Sequence, residues 1–154
     1  MYAAVVTRPD IAFAALRLSR FLTNPSPVYH EAADRVILYL KHTANFALQL
    51  GQKDDFTVYS DASFADNTLD RKSSQAYLMQ LFGGTVGWRA NKQATVTTLT
   101  TEAELLALSQ VACESEFVSW LLNELTIGLD QEHIQIYCDN QQTIWLVNEE
   151  ISRL

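Results

Sequence analysis

From Pro9 onward, Ile11, Ala14, Ala15, Leu18, Phe21 and Leu22 return at helical spacing, with Arg17 and Arg20 on the other side. This spacing predicts a helix whose first turn can hold Pro9, where a missing N–H costs nothing. Asn24-Pro25-Ser26-Pro27 breaks the pattern. Ser26 is placed to cap a second helix with Pro27 in its start and Ala33, Val36, Ile37 and Leu40 as its apolar stripe. The first fifty residues therefore read as a helical hairpin. A polar stretch, Gly51 to Asp55, separates it from the rest.

After residue 55 the period changes. Phe56 to Asp61 is a β-rich run, Ser74 to Phe82 a second strand, and Thr85 to Ala90 a third. Gly83-Gly84 offers a tight hairpin turn between the last two. Thr101 opens a long helical stretch to about Leu125, with Gly128 as its terminator. His133 to Cys138 alternates as a fourth strand. Asp139-Asn140 can cap a last helix carrying Ile144, Val147 and Ile151 on one side. A strand, long helix, strand connection joins parallel strands. The expectation is an α/β fold, β-β-β-α-β-α after the helical hairpin. Its mixed sheet is antiparallel across strands one to three and parallel where strand four joins strand one.

Composition narrows the class. The 154 residues suffice for one domain of ordinary size, and 48% hydrophobic with 19% charged residues excludes disorder. No uninterrupted apolar run approaches the ~20 residues that cross a bilayer, so no membrane partner is expected. The apolar start, Met1 to Thr7, is too short for a signal-peptide core. Cys113 and Cys138 lie 25 positions apart without C-x-x-C spacing or a histidine cluster. They fit a reducing, intracellular compartment and argue against a disulfide scaffold or a structural zinc site. Both read as small apolar core residues rather than nucleophiles.

Charge is uneven. Residues 1–50 carry net +2, residues 51–100 are balanced, and residues 101–154 carry net −9. A uniformly basic nucleic-acid surface is excluded. A local one is not, because Arg71, Lys72, Arg89 and Lys92 fall in a stretch from Arg71 to Thr100 without an acidic residue. Four charges in thirty residues are also what a solvated face carries.

Three carboxylates stand at telling places. Asp61 closes the first strand and Asp139 the fourth, so parallel pairing would deliver both to the carboxyl edge, where open α/β sheets bind ligands. On the long helix Glu102 and Glu104 are ~200° apart and cannot share a face. Glu104 aligns with Ala107, Leu108, Val111, Val118 and Leu122, the stripe expected to meet the sheet. A buried acid is costly unless something cationic meets it, and carboxylates without basic neighbours suit a hard cation such as Mg²⁺. Structural readings compete. Asp139 can be a helix N-cap, Glu104 the acid of a capping box with Thr101, and Asp61 the start of a loop. His30, His42 and His133 are isolated and suggest no nucleophilic triad.

Six segments carry a family resemblance: Thr7-Arg-Pro-Asp-Ile-Ala-Phe-Ala, Arg35-Val-Ile-Leu-Tyr-Leu-Lys-His-Thr, Tyr59-Ser-Asp-Ala-Ser-Phe-Ala-Asp, Gly87-Trp-Arg-Ala-Asn-Lys-Gln, Thr101-Glu-Ala-Glu-Leu-Leu-Ala-Leu-Ser and Tyr137-Cys-Asp-Asn-Gln. In this order they resemble the polymerase polyprotein of copia-type retrotransposons, at the end of the reverse transcriptase and through most of the ribonuclease H domain. The resemblance implies that residues 1–50 correspond to the reverse transcriptase thumb or connection, and 54–154 to a ribonuclease H-like domain. It places the family's catalytic aspartate, glutamate and second aspartate on Asp61, Glu104 and Asp139. It further implies two Mg²⁺ ions, with Mn²⁺ as substitute, water as nucleophile and the RNA strand of an RNA–DNA hybrid as substrate. Arg71, Lys72, Arg89 and Lys92 would touch hybrid phosphates.

The family pattern also includes a last strand, a closing helix and a fourth catalytic aspartate beyond the segments matched here. Their absence from this chain leads to an expectation of weakened activity. An unclosed sheet and orphan helices lead to an expectation of self-association as a homodimer, or of binding to the parent polymerase. The compartment expected is cytoplasm or nucleus, or a virus-like particle within the parent polyprotein. The alternative function is a non-catalytic transposon-derived module that binds nucleic acid or a protein.

Overall fold

The structure, a computed structural model, describes residues 1–51, 55–129 and 133–152, with residues 150–152 described by backbone alone. Residues 52–54 of the polar separator and the Ile151 side chain lie outside this set. The chain divides into two compact units, Met1–Gln49 and Leu50–Leu154.

The first unit holds α1 (Tyr2–Val6), a 3₁₀ turn (Pro9–Ile11), α2 (Ala12–Ser19) and α3 (Pro27–His42). The sequence pattern missed α1. Arg8, which precedes Pro9, is driven to an extended conformation at φ −130°, ψ 79°, so α1 stops before it. Pro9 then opens the 3₁₀ turn that runs into α2. Arg8 ties the unit together. Its guanidinium reaches Asp10 at 2.7 Å and donates to the Thr43 carbonyl at 3.1 Å. The rings of Phe21 and Tyr29 stack between α2 and α3, with centroids 3.7 Å apart. Ser26 stands at the N-cap of α3 with Pro27 in its first turn, as expected, but makes no side-chain cap bond. Ile37, expected on the buried stripe, is exposed.

The second unit holds β1 (Phe56–Ser63), β2 (Ser74–Leu81), β3 (Gly84–Lys92), α4 (Thr100–Glu124), β4 (Gln135–Cys138) and α5 (Gln141–Ser152). Among the described residues the sheet runs β3-β2-β1-β4. The β1–β2 and β2–β3 pairs are antiparallel and β1–β4 is parallel. The α/β mixed sheet and its element order agree with the sequence reading. Along β1 the pleat alternates: Phe56, Val58 and Ser60 are buried, while Tyr59, Asp61 and Ser63 are exposed. Phe56 and Val58 join Met79, Leu81, Val111 and Leu122 in the core, so α4 covers this face. On the opposite face Tyr59 and Tyr137 stack, with centroids 5.3 Å apart.

Turn chemistry corrects two expectations. The β2–β3 hairpin pairs Leu81 with Gly84, so its two-residue loop is Phe82-Gly83 rather than Gly83-Gly84. Both loop residues have positive φ, 55° and 73°, as a type I′ turn requires. Gly128 does not end α4. Thr126 takes the left-handed position at φ 56°. Its N–H donates to the Asn123 carbonyl, and that of Ile127 to the Leu122 carbonyl at 2.9 Å, a Schellman motif.

By length and composition α4 could cross a membrane, although no single apolar run in the sequence could. Here its buried face, Ala103, Glu104, Ala107, Val111, Ser115 and Leu122, is the cover of the sheet.

Candidate active site

Parallel pairing of β1 with β4 ends at Ser60 opposite Cys138. Asp61 and Asp139 each follow by one residue, so both lie just past the end of this parallel ladder, on adjacent strands. Both are exposed. Asp61 does not close β1, as expected from its pattern; β1 continues to Ser63, where it pairs with Ser74 of β2.

The first turn of α4 brings the third carboxylate. Glu102 is the capping acid: its Oε2 accepts the Thr98 backbone N–H at 2.7 Å and the Thr98 hydroxyl at 3.1 Å. These bonds hold its carboxyl below the usual range. The capping role considered for Glu104 thus belongs to Glu102. One helical face away, Glu104 is 6% exposed and turned toward the sheet. Asp139 is likewise freed from capping, because Asn140 caps α5: its Oδ1 accepts the Thr143 N–H at 3.0 Å.

Ligand atoms of Glu104, Cys138 and Asp139 lie within 4.8 Å of one another. The Cys138 thiol points at Glu104 Oε2 across 3.9 Å. Asp61 is not in this compact trio, but its charge acts on Glu104. Burial, then the charges of Asp61 and Asp139, push the Glu104 carboxyl from 4.5 to about 7, against a hydrogen bond from the Ala62 backbone. Burial also raises the Cys138 thiol. Among the described residues none of the three carboxylates forms an ion pair. A cluster of carboxylates of this kind fits a hard divalent cation, and Glu104, Asp139 and Asp61 are the residues that would hold it.

The basic residues are more engaged than their sequence neighbourhood indicates. Lys92 pairs with Asp70 at 2.7 Å, and Arg89 faces Glu114 of α4 at 3.8 Å. The Lys72 ammonium donates to the Ala94 carbonyl. Arg71 is exposed in a left-handed turn at φ 58°. The acid-free stretch from Arg71 to Thr100 obtains its counter-charges from Asp70, one residue before it, and from a helix that packs beside it.

Cys138 and Ser60 were not foreseen as site residues. Ser60 is 6% exposed, and its hydroxyl is buried with no hydrogen-bond partner among the described residues. The signal for both was one position away, in the residues that precede the two aspartates.

Comparison with known proteins places the chain. Over 145 residues it is 40% identical to the retrovirus-related Pol polyprotein from transposon TNT 1-94 of Nicotiana tabacum, covering 94% of this chain. Over 142 residues it is 34% identical to that from transposon RE1 of Arabidopsis thaliana. The chain belongs to the Pol polyproteins of copia-type retrotransposons. It spans about a tenth of their length, 11% and 10% of these two. This copia-type chain is also 40% identical over 121 residues to the secreted RxLR effector protein 161 of Plasmopara viticola, covering 77% of the chain and 85% of that protein. No protein-family model matches it, and no solved structure does.

Proposed function

We propose that residues 54–154 of this copia-type Pol segment act as a ribonuclease H-type endonuclease on the RNA strand of RNA–DNA hybrids. The observation that carries the reading is Glu104, buried beside Asp61 and Asp139 with no cation paired to it among the described residues. Such a group is costly to keep unless a divalent cation completes the site. Two Mg²⁺ ions bound there, or Mn²⁺ in their place, would clamp the attacking and leaving oxygens of an in-line displacement at phosphorus. Asp61, on the strand between β2 and β4, would be the ligand shared by both ions, and Glu104 and Asp139 would hold one each.

Of the four candidates, Arg71 and Lys72 form no ion pair with a carboxylate among the described residues, so they would meet hybrid phosphates first. Lys92 and Arg89 would have to exchange Asp70 and Glu114 for phosphate. Such contacts fix position without reading sequence, and the RNA strand is told from DNA by its 2′-hydroxyls.

A second reading is a non-catalytic module that binds nucleic acid or a protein. It is favoured by those internal ion pairs and by the likeness to a relative described as a secreted effector. The two separate in one assay. The purified chain is incubated with a hybrid labelled on either strand, with Mg²⁺ or Mn²⁺. Cation-dependent cuts confined to the RNA strand support the nuclease. Binding without cleavage under both cations supports the module.

A further inference from the structure

We propose that Glu104, Cys138 and Asp139 form a site for a soft divalent cation of the Zn²⁺ class, and that the ion bound there blocks the hard-cation chemistry of the same edge. The blocking part rests on the ribonuclease reading; the binding site does not.

The trio mixes one thiol with two carboxylates, all ligand atoms lying within 4.8 Å. A tetrahedral Zn²⁺ with Zn–S of about 2.3 Å and Zn–O of about 2.0 Å needs sulfur and oxygen roughly 3.5 Å apart. The Cys138 Sγ to Glu104 Oε2 distance is 3.9 Å, so a contraction of a few tenths of an ångström suffices. Mg²⁺ gains nothing from the sulfur, since thiolate ligands select Zn²⁺ and its soft neighbours. Three protein ligands leave a fourth position open.

A second observation points to the same place. The Ser60 hydroxyl is buried without a hydrogen-bond partner among the described residues. Ser60 lies opposite Cys138 in the parallel ladder, and both side chains point to the α4 face, where Glu104 sits. A buried hydroxyl without a partner is costly. When the metal displaces the thiol proton to solvent, the weakly accepting sulfur becomes a thiolate, a much stronger acceptor that Ser60, beside it in the ladder, would take as its missing partner after a small rotation. Ser60 is then a positioning residue for the thiolate, and Cys138 the ligand that distinguishes soft from hard cations.

The test uses the full chain with Co²⁺ as the spectroscopic probe for the Zn²⁺ site. The exposed Cys113 is replaced (Cys113→Ser) so that one thiol remains. Titration should raise a thiolate-to-cobalt charge-transfer band at one equivalent, and added Zn²⁺ should remove it. Cys138→Ser should abolish the band. Ser60→Ala should weaken Co²⁺ binding about tenfold, as loss of an outer-shell partner does. Asp61→Asn should leave the band in place whatever it does to cleavage. If Cys138→Ser does not fold, by circular dichroism, Glu104→Gln decides instead and should weaken binding at least tenfold. No band in the Cys113→Ser chain, or a band that survives Cys138→Ser, overturns the site. In the hybrid assay with excess Mg²⁺, Zn²⁺ should stop cleavage by the Cys113→Ser chain, and any cleavage left in the Cys138→Ser form should tolerate more Zn²⁺. Unchanged Zn²⁺ sensitivity in that form overturns the blocking role. Absence of cleavage altogether overturns the ribonuclease reading and the blocking role with it, while the cobalt band alone still decides the site.

Discussion

Ser60 sits opposite Cys138 at the end of the parallel β1–β4 ladder, and this pairing organises the whole edge. Because side chains alternate, the paired residues face α4, where Cys138 meets Glu104, while the residues that follow them, Asp61 and Asp139, lie side by side on adjacent strands. A one-residue slip of β4 would turn Cys138 away from the helix and break this arrangement.

The caps of α4 and α5 allow a direct check of which acids are structural. Asn140→Ala should lower stability by about 1 kcal/mol in denaturant unfolding, the usual loss of an N-cap. Asp139→Asn should cost nothing or stabilise, since it removes an anion that opposes Glu104. Equal losses for the two substitutions would return the cap to Asp139.

Glu104 should make stability fall as pH rises. Its folded value, about 7, lies above the ordinary 4.5, so the folded chain holds a proton that the unfolded chain has released. Without divalent cations this contribution is complete below pH 4.5, is lost between 4.5 and 7, and is constant above. The full difference would be ~3 kcal/mol, and solvent screening at the sheet edge reduces the expected loss to ~1–2 kcal/mol. Glu104→Gln should flatten the profile in that window, as measured by urea unfolding at a series of pH values. A wild-type profile that is flat or rising there would show that Glu104 is ionised in the folded chain.

Lys92 is held by Asp70 rather than left for a phosphate. Asp70→Asn should therefore raise hybrid affinity and steepen its salt dependence by about one counterion. Lys92→Ala alone should change both little. Fluorescence anisotropy across a salt series reads the two slopes.

Thr126 ends α4 in a conformation that costs a side-chain-bearing residue roughly 1 kcal/mol. Thr126→Gly should recover part of it, a gain of about 0.5–1 kcal/mol in thermal or denaturant unfolding. A loss would mean that the threonine side chain contributes more than its backbone strain costs.

The elements of the second unit were legible because each carries its own period. The alternation of Phe56, Val58 and Ser60 and the stripe of Ala107, Val111 and Leu122 are local signals that tertiary packing reinforced. The phase of α4 was legible for the same reason, since Glu102 and Glu104 cannot share a face. What escaped was set by geometry between distant residues or by backbone strain. Phe82 and Thr126 take positive φ where a nearby glycine was the easier choice. The Lys92–Asp70 and Arg89–Glu114 pairs join β3 to a loop and a helix, which no window of sequence displays. Cys138 looked like a core residue and is one of three ligand-bearing groups at the site. Its role depends on register with Ser60, and register is invisible until strands pair.

The most direct measurement of the central claim is cleavage of an RNA-labelled hybrid by the wild-type chain and by Asp61→Asn, side by side, with Mg²⁺ and with Mn²⁺. Asp61→Asn removes the carboxylate proposed to be shared by both cations, with almost no change in volume. The nuclease account expects RNA-strand cleavage by the wild type and its loss, by at least two orders of magnitude, in Asp61→Asn. Equal activity in both, or none from the wild type with either cation, would contradict it.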